Sequence, residues 1–145
     1  MLIEIRDNDS LTLVSDLLHD AFFALEDAAH DKEQGVFRLV LWREVRELAQ
    51  TRRALPLIVR VEAPWMRTQL EFSAVKEASV EETDGIGLGE YCLTEIDYNP
   101  TNGEIRFGVM GPLKLALHVD KLAGVMRDTG EPTWERPGIP TFRIG

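Results

Sequence analysis

Alternation of apolar and polar residues is the clearest pattern along the chain. In residues 113–119 the large apolar side chains fall at every second position, with Lys114 and His118 between them. Residues 66–74 alternate in the same way, and Arg67 is one of the intervening polar residues. Because a period of two places successive side chains on opposite faces of a strand, each segment is predicted to be a β-strand with one face in solvent.

A ten-residue internal similarity predicts two β-hairpins. Residues 30–39 (HDKEQGVFRL) align without gaps with residues 98–107 (YNPTNGEIRF), 68 residues further on. Each copy has Asp or Asn, three further residues and then glycine. Asp and Asn open turns through local hydrogen bonds, and glycine supplies the positive φ that closes a short hairpin. The spacing is close to half the chain, which leaves open either a duplicated half, as in a pseudo-twofold sheet, or two unrelated turns with similar chemistry.

Helix and strand patterns compete in the N-terminal part of the chain. Residues 18–29 have apolar side chains at helical spacing, whereas the first hairpin requires a strand before its turn. We therefore predict a short helix over residues 10–19, capped by Asp9 or Ser10, and a strand that begins near residue 21. The nearly continuous apolar run over residues 57–62 is predicted to be a central strand.

These elements predict an α+β protein that is mainly β. The expected architecture is an antiparallel sheet or partly open barrel of about seven or eight strands with a short N-terminal helix. A length of 145 residues is typical of one domain with one core, so a single domain over residues 1–145 is expected. The tail, residues 128–145, is rich in Pro and Gly but contains Trp134, which favours docking of the tail against the rest of the domain.

Charge and composition narrow the classes of partner. The chain has 25 acidic and 16 basic residues, a formal net charge of −9, so most of its surface would repel nucleic acid. The longest apolar runs are far below the ~20 residues that a membrane-spanning helix needs, so no insertion into a membrane is expected. Cys92 is the single cysteine, which excludes an internal disulfide and favours a cytoplasmic location.

Every histidine has an aspartate close by in the sequence, which suggests a metal site as one hypothesis. The candidate ligands are His19, Asp20, His30, His118 and Asp120, and imidazole with carboxylate is a common ligand set for metal ions. On one helix, however, the first two histidines would stand about 16 Å apart, too far for one ion. We therefore expect scattered surface or capping roles, with a metal-dependent or small-molecule enzyme as the alternative.

Two further segments do not predict catalysis. The glycine-rich residues 84–90 lack the spacing of a dinucleotide-binding loop and the Lys-Ser or Lys-Thr of a P-loop, so a connecting loop is predicted. Cys92 has no histidine beside it in the sequence, which favours a small core residue over a nucleophile. No cofactor is expected.

Tryptophan and arginine are the residues that most favour an interaction surface. Both are enriched in binding hot spots, and three tryptophans lie near strand ends or in the tail. The predicted interface consists of Trp42, Arg43, Trp65, Arg67 and Trp134. In the alternative interpretation, each indole ring seals the rim of the core. The functional expectation is a non-enzymatic cytoplasmic module that binds a protein partner, either another chain or a second copy through an exposed strand edge.

Overall fold

The chain forms a mainly antiparallel β structure with one short N-terminal helix, as the sequence predicts. The computed structural model describes residues 1–55, 58–82 and 89–137, and only the backbone of residues 52–55 and 58–60. Within these ranges the main sheet has ten strands and does not close on itself. Ten exceeds the predicted number because the strand expected from residue 21 is broken in two, and because Leu2–Ile5 and Val75–Glu82 form the two edges of the sheet.

The elements follow one another closely along the chain. The strands are β1 (Leu2–Ile5), β2 (Phe22–Phe23), β3 (Ala28–Asp31), β4 (Val36–Glu44), β5 (Gln50–Leu55), β6 (Ile58–Glu62), β7 (Trp65–Phe72), β8 (Val75–Glu82), β9 (Tyr91–Asn99), β10 (Glu104–Met110), β11 (Leu113–Val119) and β12 (Gly124–Asp128). The helix is α1 (Asn8–Leu17), and two 3₁₀ turns cover Leu25–Asp27 and Arg46–Leu48.

Helix α1 begins earlier than predicted because a different residue caps it. The Asp7 carboxylate accepts a hydrogen bond from the Ser10 backbone N–H at 2.8 Å, and the Ser10 hydroxyl accepts one from the Asp7 N–H at 3.1 Å. This reciprocal pair satisfies two backbone donors at the helix start, so Asp7, not Asp9 or Ser10, is the cap. The helix ends at Leu17, which leaves His19 outside it, and it packs against β1 and β9.

Both predicted hairpins are present. Asp31 accepts a hydrogen bond from the Gln34 N–H at 3.1 Å in the turn between β3 and β4, and Asn99 accepts one from the Thr101 N–H at 2.9 Å in the turn between β9 and β10. Gly35 and Gly103 close these turns with φ of +66° and +67°. Turn chemistry in the sequence therefore located both chain reversals.

The prediction of a central strand at residues 57–62 was wrong. Strand β6 pairs with β5 in a separate two-stranded sheet, and residue 57 itself lies outside the described residues. A short apolar run does not by itself distinguish the middle of a large sheet from a small ribbon, because periodicity carries no information about pairing partners.

The order of strands in the main sheet has an internal pseudo-twofold symmetry. Strands β12, β7 and β4 lie on one side of the centre, strands β8, β11 and β10 lie on the other, and β2 pairs with β9 between them. The register matches as well as the order. Equivalent cross-strand triplets are Phe37–Phe72–Gly124 and Ile105–Leu117–Ala78. Since Ile105 lies 68 residues after Phe37, the symmetry extends the similarity of the two hairpins to whole halves of the sheet.

The core lies on one face of this sheet, here called the inner face, and α1 covers part of it. On β4 the inner positions are Phe37, Leu39 and Leu41, each at most 2% exposed. The Phe107 ring centroid lies 5.9 Å from that of Phe37 and 6.1 Å from that of Phe72, which joins the two pseudo-symmetric halves. The opposite, outer face carries the polar residues of the same strands together with two of the tryptophans.

Candidate functional site

The histidines lie on three different elements, and each has its own surroundings. After α1, His19 places Nδ1 2.8 Å from the Thr94 carbonyl oxygen and Nε2 3.6 Å from the Asp20 carboxylate. In β11, Nε2 of His118 lies 4.0 Å from Glu104. In β3, His30 faces Phe37, and its Nε2 is buried without a hydrogen-bond partner among the described residues.

The aspartates do not complete a metal site around these histidines. Asp120 pairs instead with Lys76, whose Nζ lies 2.8 Å from the carboxylate. Residues 1–55, 58–82 and 89–137 contain no group of three or more His, Cys, Asp or Glu side chains placed to hold a metal ion. Most of the predicted glycine-rich connecting loop, residues 84–88, lies outside the described ranges.

One residue of the predicted interface, Arg43, lies inside the protein. It takes the inner-face position that follows Leu41 on β4, and 1% of it is exposed. Its guanidinium donates to both carboxylate oxygens of Asp128, at 2.9 and 2.7 Å, and to Glu47 at 3.0 Å. Thr68 donates a further hydrogen bond to Asp128 at 2.8 Å. Arg43 therefore holds the end of the core together and is not part of an exposed surface.

Opposing effects set the protonation of this buried pair. Burial raises the pKa of Asp128, but hydrogen bonds from Arg43 and Thr68 outweigh it and hold the pKa below its ordinary value of 3.8. Burial likewise lowers the pKa of Arg43, yet hydrogen bonds to Asp128 and Glu47 raise it overall. Both groups are therefore charged at neutral pH, and each compensates for the desolvation of the other.

Two of the predicted tryptophans lie on the outer face of the neighbouring strands β4 and β7. Trp42 of β4 faces Arg67 of β7 in register, and Trp65 lies close by on β7, opposite the end of β4. Phe22 of β2 pairs with Trp42, and its ring centroid lies 5.2 Å from that of Trp65 in an edge-to-face arrangement. The structure thus brings Trp42, Trp65 and Arg67 together and adds Phe22, which sequence reasoning missed.

The first part of the tail runs beside this aromatic cluster. The Thr129 N–H donates to the Arg67 carbonyl at 2.8 Å, and Trp65 and Thr133 exchange two backbone hydrogen bonds of 2.7 and 2.8 Å. These contacts continue the line of β12 along β7, and they place Trp134 at the surface with 40% of it exposed.

The tail then places an arginine on the aromatic rings. The guanidinium carbon of Arg136 lies 3.9 Å from the Phe22 ring centroid and 5.5 Å from that of Trp65. Its Nη2 donates to the Glu90 carboxylate at 2.6 Å. Phe22, Trp65 and Glu90 together form what we call the arginine clamp. Because 34% of the Arg136 side chain is exposed while Phe22 is 3% exposed, the arginine covers the ring from the solvent side.

Comparisons with known proteins do not extend this description. No protein-family model matches the chain, and neither curated proteins nor solved structures give a match. The geometry of the candidate site is therefore the basis for a functional proposal.

Cys92 is close to the clamp but lacks the properties of a nucleophile. It faces Phe22 in register, and burial together with the Asp20 carboxylate raises the pKa of its thiol, while Arg136 acts in the opposite direction. A thiol with a raised pKa is protonated at neutral pH and reacts slowly.

In the part of the chain that the structure describes, no helix combines the length and apolar character that crossing a membrane requires.

The chemistry of the clamp suits a guanidinium group. A cation within about 6 Å of an aromatic centroid is attracted by the ring quadrupole, and Arg136 meets this condition for two rings. The planar guanidinium can stack on a ring while its N–H groups donate to a carboxylate, which a lysine ammonium does less well. The clamp therefore holds the guanidinium of the chain's own tail on two rings and a carboxylate.

Proposed function

We propose that this protein is a non-enzymatic cytoplasmic module that binds another polypeptide, and that the arginine clamp recognises an arginine of that partner. The observation that carries the proposal is the Arg136 guanidinium, stacked 3.9 Å from Phe22 and bonded to Glu90 at 2.6 Å. In this proposal the tail occupies the site until a partner displaces it. The cytoplasmic location rests on the composition, since Cys92 is the only cysteine.

Charge supports a basic partner. The net charge of −9 attracts cationic segments over a distance and speeds their encounter with the protein. Trp65 belongs to the clamp and Trp42 faces Phe22 beside it, so a partner that displaces Arg136 would also find aromatic surface for apolar contacts. Trp134 and Arg67 lie along the tail's path, and with Trp42 and Trp65 they support the proposal of one interaction surface around the clamp.

Removing the tail's arginine is expected to strengthen binding of an external one. We expect Arg136→Ala to bind a blocked glycine-arginine-glycine peptide about tenfold more tightly than the unmodified protein does. The reason is that the competing cation–π and ion-pair contacts, of the order of 1–2 kcal/mol together, are absent from the variant. Isothermal titration calorimetry on both proteins measures this ratio.

Two controls make the result specific. Arg127→Ala removes an exposed arginine from β12, with the same change in net charge, and is expected to leave the affinity unchanged. A peptide with citrulline in place of arginine keeps the shape but lacks the charge, and is expected to bind neither protein measurably. Equal affinities of Arg136→Ala and the unmodified protein, or equal binding of the citrulline peptide, would refute the proposal.

A further inference from the structure

Strand β8 is an edge of the main sheet. Across the described ranges it pairs with β11 on one side and with no strand on the other, apart from a hydrogen bond from the Val75 N–H to the Gly35 carbonyl at its start. An open edge of this length presents a row of backbone donors and acceptors that can pair with another extended chain.

A core-facing side chain is left half uncovered at this edge. Val80 lies on the inner face opposite Leu115, which is 1% exposed, yet Val80 itself is 48% exposed. Glu82, two residues further on the same face, is also exposed. The inner surface of the sheet therefore extends beyond the part that the described chain covers.

The pseudo-twofold symmetry shows what would cover such an edge. Val80 of β8 is equivalent to Met126 of β12. Val80 lies opposite Leu115 of β11, and Met126 lies opposite Leu70 at the matching inner-face position of β7. Met126 is 0% exposed, since β1 pairs with β12 and places Ile3 opposite it. Strand β8 lacks a counterpart of β1 in the described ranges, so one half of the sheet is one strand shorter than the other.

The charges along β8 favour a basic strand in this position. Glu77 and Glu81 lie exposed on the outer face, where they have His118 and Lys114 opposite them on the β11 side only. An added strand would bring its own outer-face residues against these carboxylates from the open side. Opposite charges in directly opposed pairs stabilise a sheet, and like charges destabilise it.

A second copy of β8 fits this edge less well. Strand β8 carries three glutamates and one lysine, so a second copy brings net negative charge to the edge in any register. In the antiparallel register that places Ser79 opposite its own copy, Glu77 would also face Glu81 of the second copy twice. Two such contacts between like charges oppose dimerisation through this edge. The occupant that matches the edge is therefore a different chain with basic residues.

We infer that the free edge of β8 receives an antiparallel strand from a basic partner, which places an apolar residue over Val80 and lysine or arginine beside Glu77 and Glu81. The bound strand would take the place that β1 takes on β12, and backbone pairing would supply affinity while alternate side chains supply specificity. This surface is separate from the arginine clamp, and the inference does not depend on it.

A designed peptide tests the inference on the full chain. The probe is the blocked peptide Lys-Val-Lys-Val-Lys-Val-Lys, and binding is measured by fluorescence anisotropy with hydrogen–deuterium exchange to locate it. We expect saturable binding that slows exchange in β8, and a loss of about tenfold in affinity for Glu77→Gln/Glu81→Gln. The matched variant Glu95→Gln/Glu131→Gln removes the same charge from exposed positions on β9 and in the tail and is expected to bind as the unmodified protein does.

Further experiments distinguish a basic partner strand from other chains or segments that could cover the free edge of β8. A peptide with N-methyl groups at alternate residues cannot pair along its backbone and is expected not to bind; equal binding of this peptide would overturn the inference. In the free protein, slow exchange of the β8 amides that do not bond to β11 would also overturn it, with sedimentation distinguishing coverage by a second copy from coverage within one chain. Arg136→Ala is expected to leave Lys-Val peptide binding unchanged, so failure at this edge is distinguishable from failure at the clamp.

Discussion

Replacing Asp128 with alanine is expected to lower the free energy of unfolding by about 3–5 kcal/mol, since removing one partner of a buried ion pair leaves the other charge uncompensated. Arg43 is 1% exposed and donates two hydrogen bonds to Asp128, so no water can replace the lost carboxylate without rearrangement. Urea unfolding followed by tryptophan fluorescence measures the loss.

Two further variants separate the charge from the packing. Glu47→Ala removes the half-exposed partner of Arg43 and is expected to cost less than about 1 kcal/mol. The double variant Arg43→Met/Asp128→Leu replaces both charges with apolar side chains and is expected to recover most of the stability. A single Asp128→Ala variant as stable as the unmodified protein would show that the pair does not hold this end of the core.

The ion pair between Arg43 and Asp128 also predicts how acid changes the free energy of unfolding. Since the folded-state pKa of Asp128 lies below its ordinary value of 3.8, the carboxylate contributes stability that is fully present above about pH 4. This contribution is lost as the pH falls through the folded-state pKa. The Arg43→Met/Asp128→Leu variant is therefore expected to lose less stability than the unmodified protein between about pH 4 and pH 2.

Replacing Gly103 with alanine is expected to lower the free energy of unfolding by about 2–3 kcal/mol. Gly103 has φ of +67°, and a Cβ atom there would lie 2.8 Å from the Val119 carbonyl oxygen. The turn would have to move away from β11, where the Val119 N–H donates to the Gly103 carbonyl at 2.8 Å.

Gly130 provides the matched control for this substitution. It has φ of +90°, but no described atom lies within 4 Å of the position that a Cβ atom would take, so Gly130→Ala adds backbone strain without a collision. About 1 kcal/mol is expected there. Equal losses at the two glycines, again measured by urea unfolding, would mean that close contact at the second hairpin is unimportant.

Local chemistry explains why the fold class could be predicted. Asp31 with Gly35, and Asn99 with Gly103, are turn signals that act within five residues, and alternation within single strands needs no distant partner. The pairing of β12 with β7, and of β1 with β12, joins residues that are far apart in sequence, and neither periodicity nor turn chemistry encodes such pairs. For the same reason the prediction of a central strand at residues 57–62 was wrong, since β6 pairs with β5 in a separate sheet.

The candidate site was predictable only in part. Trp42 and Trp65 belong to the outer face of alternating strands, so their common side follows from the sequence. The same alternation contains the signal that Arg43 is buried, since it shares the parity of Phe37, and the charge of its side chain concealed this. The contact of Arg136 with Phe22 spans most of the chain, and no local pattern predicts it.

The most direct test of the arginine clamp is a nuclear magnetic resonance titration of ¹⁵N-labelled Arg136→Ala with the glycine-arginine-glycine peptide. We expect the indole N–H signal of Trp65 to shift saturably, and adding Glu90→Gln to abolish most of this response. An unchanged Trp65 signal at peptide concentrations that shift other residues, or no shift anywhere, would contradict this expectation.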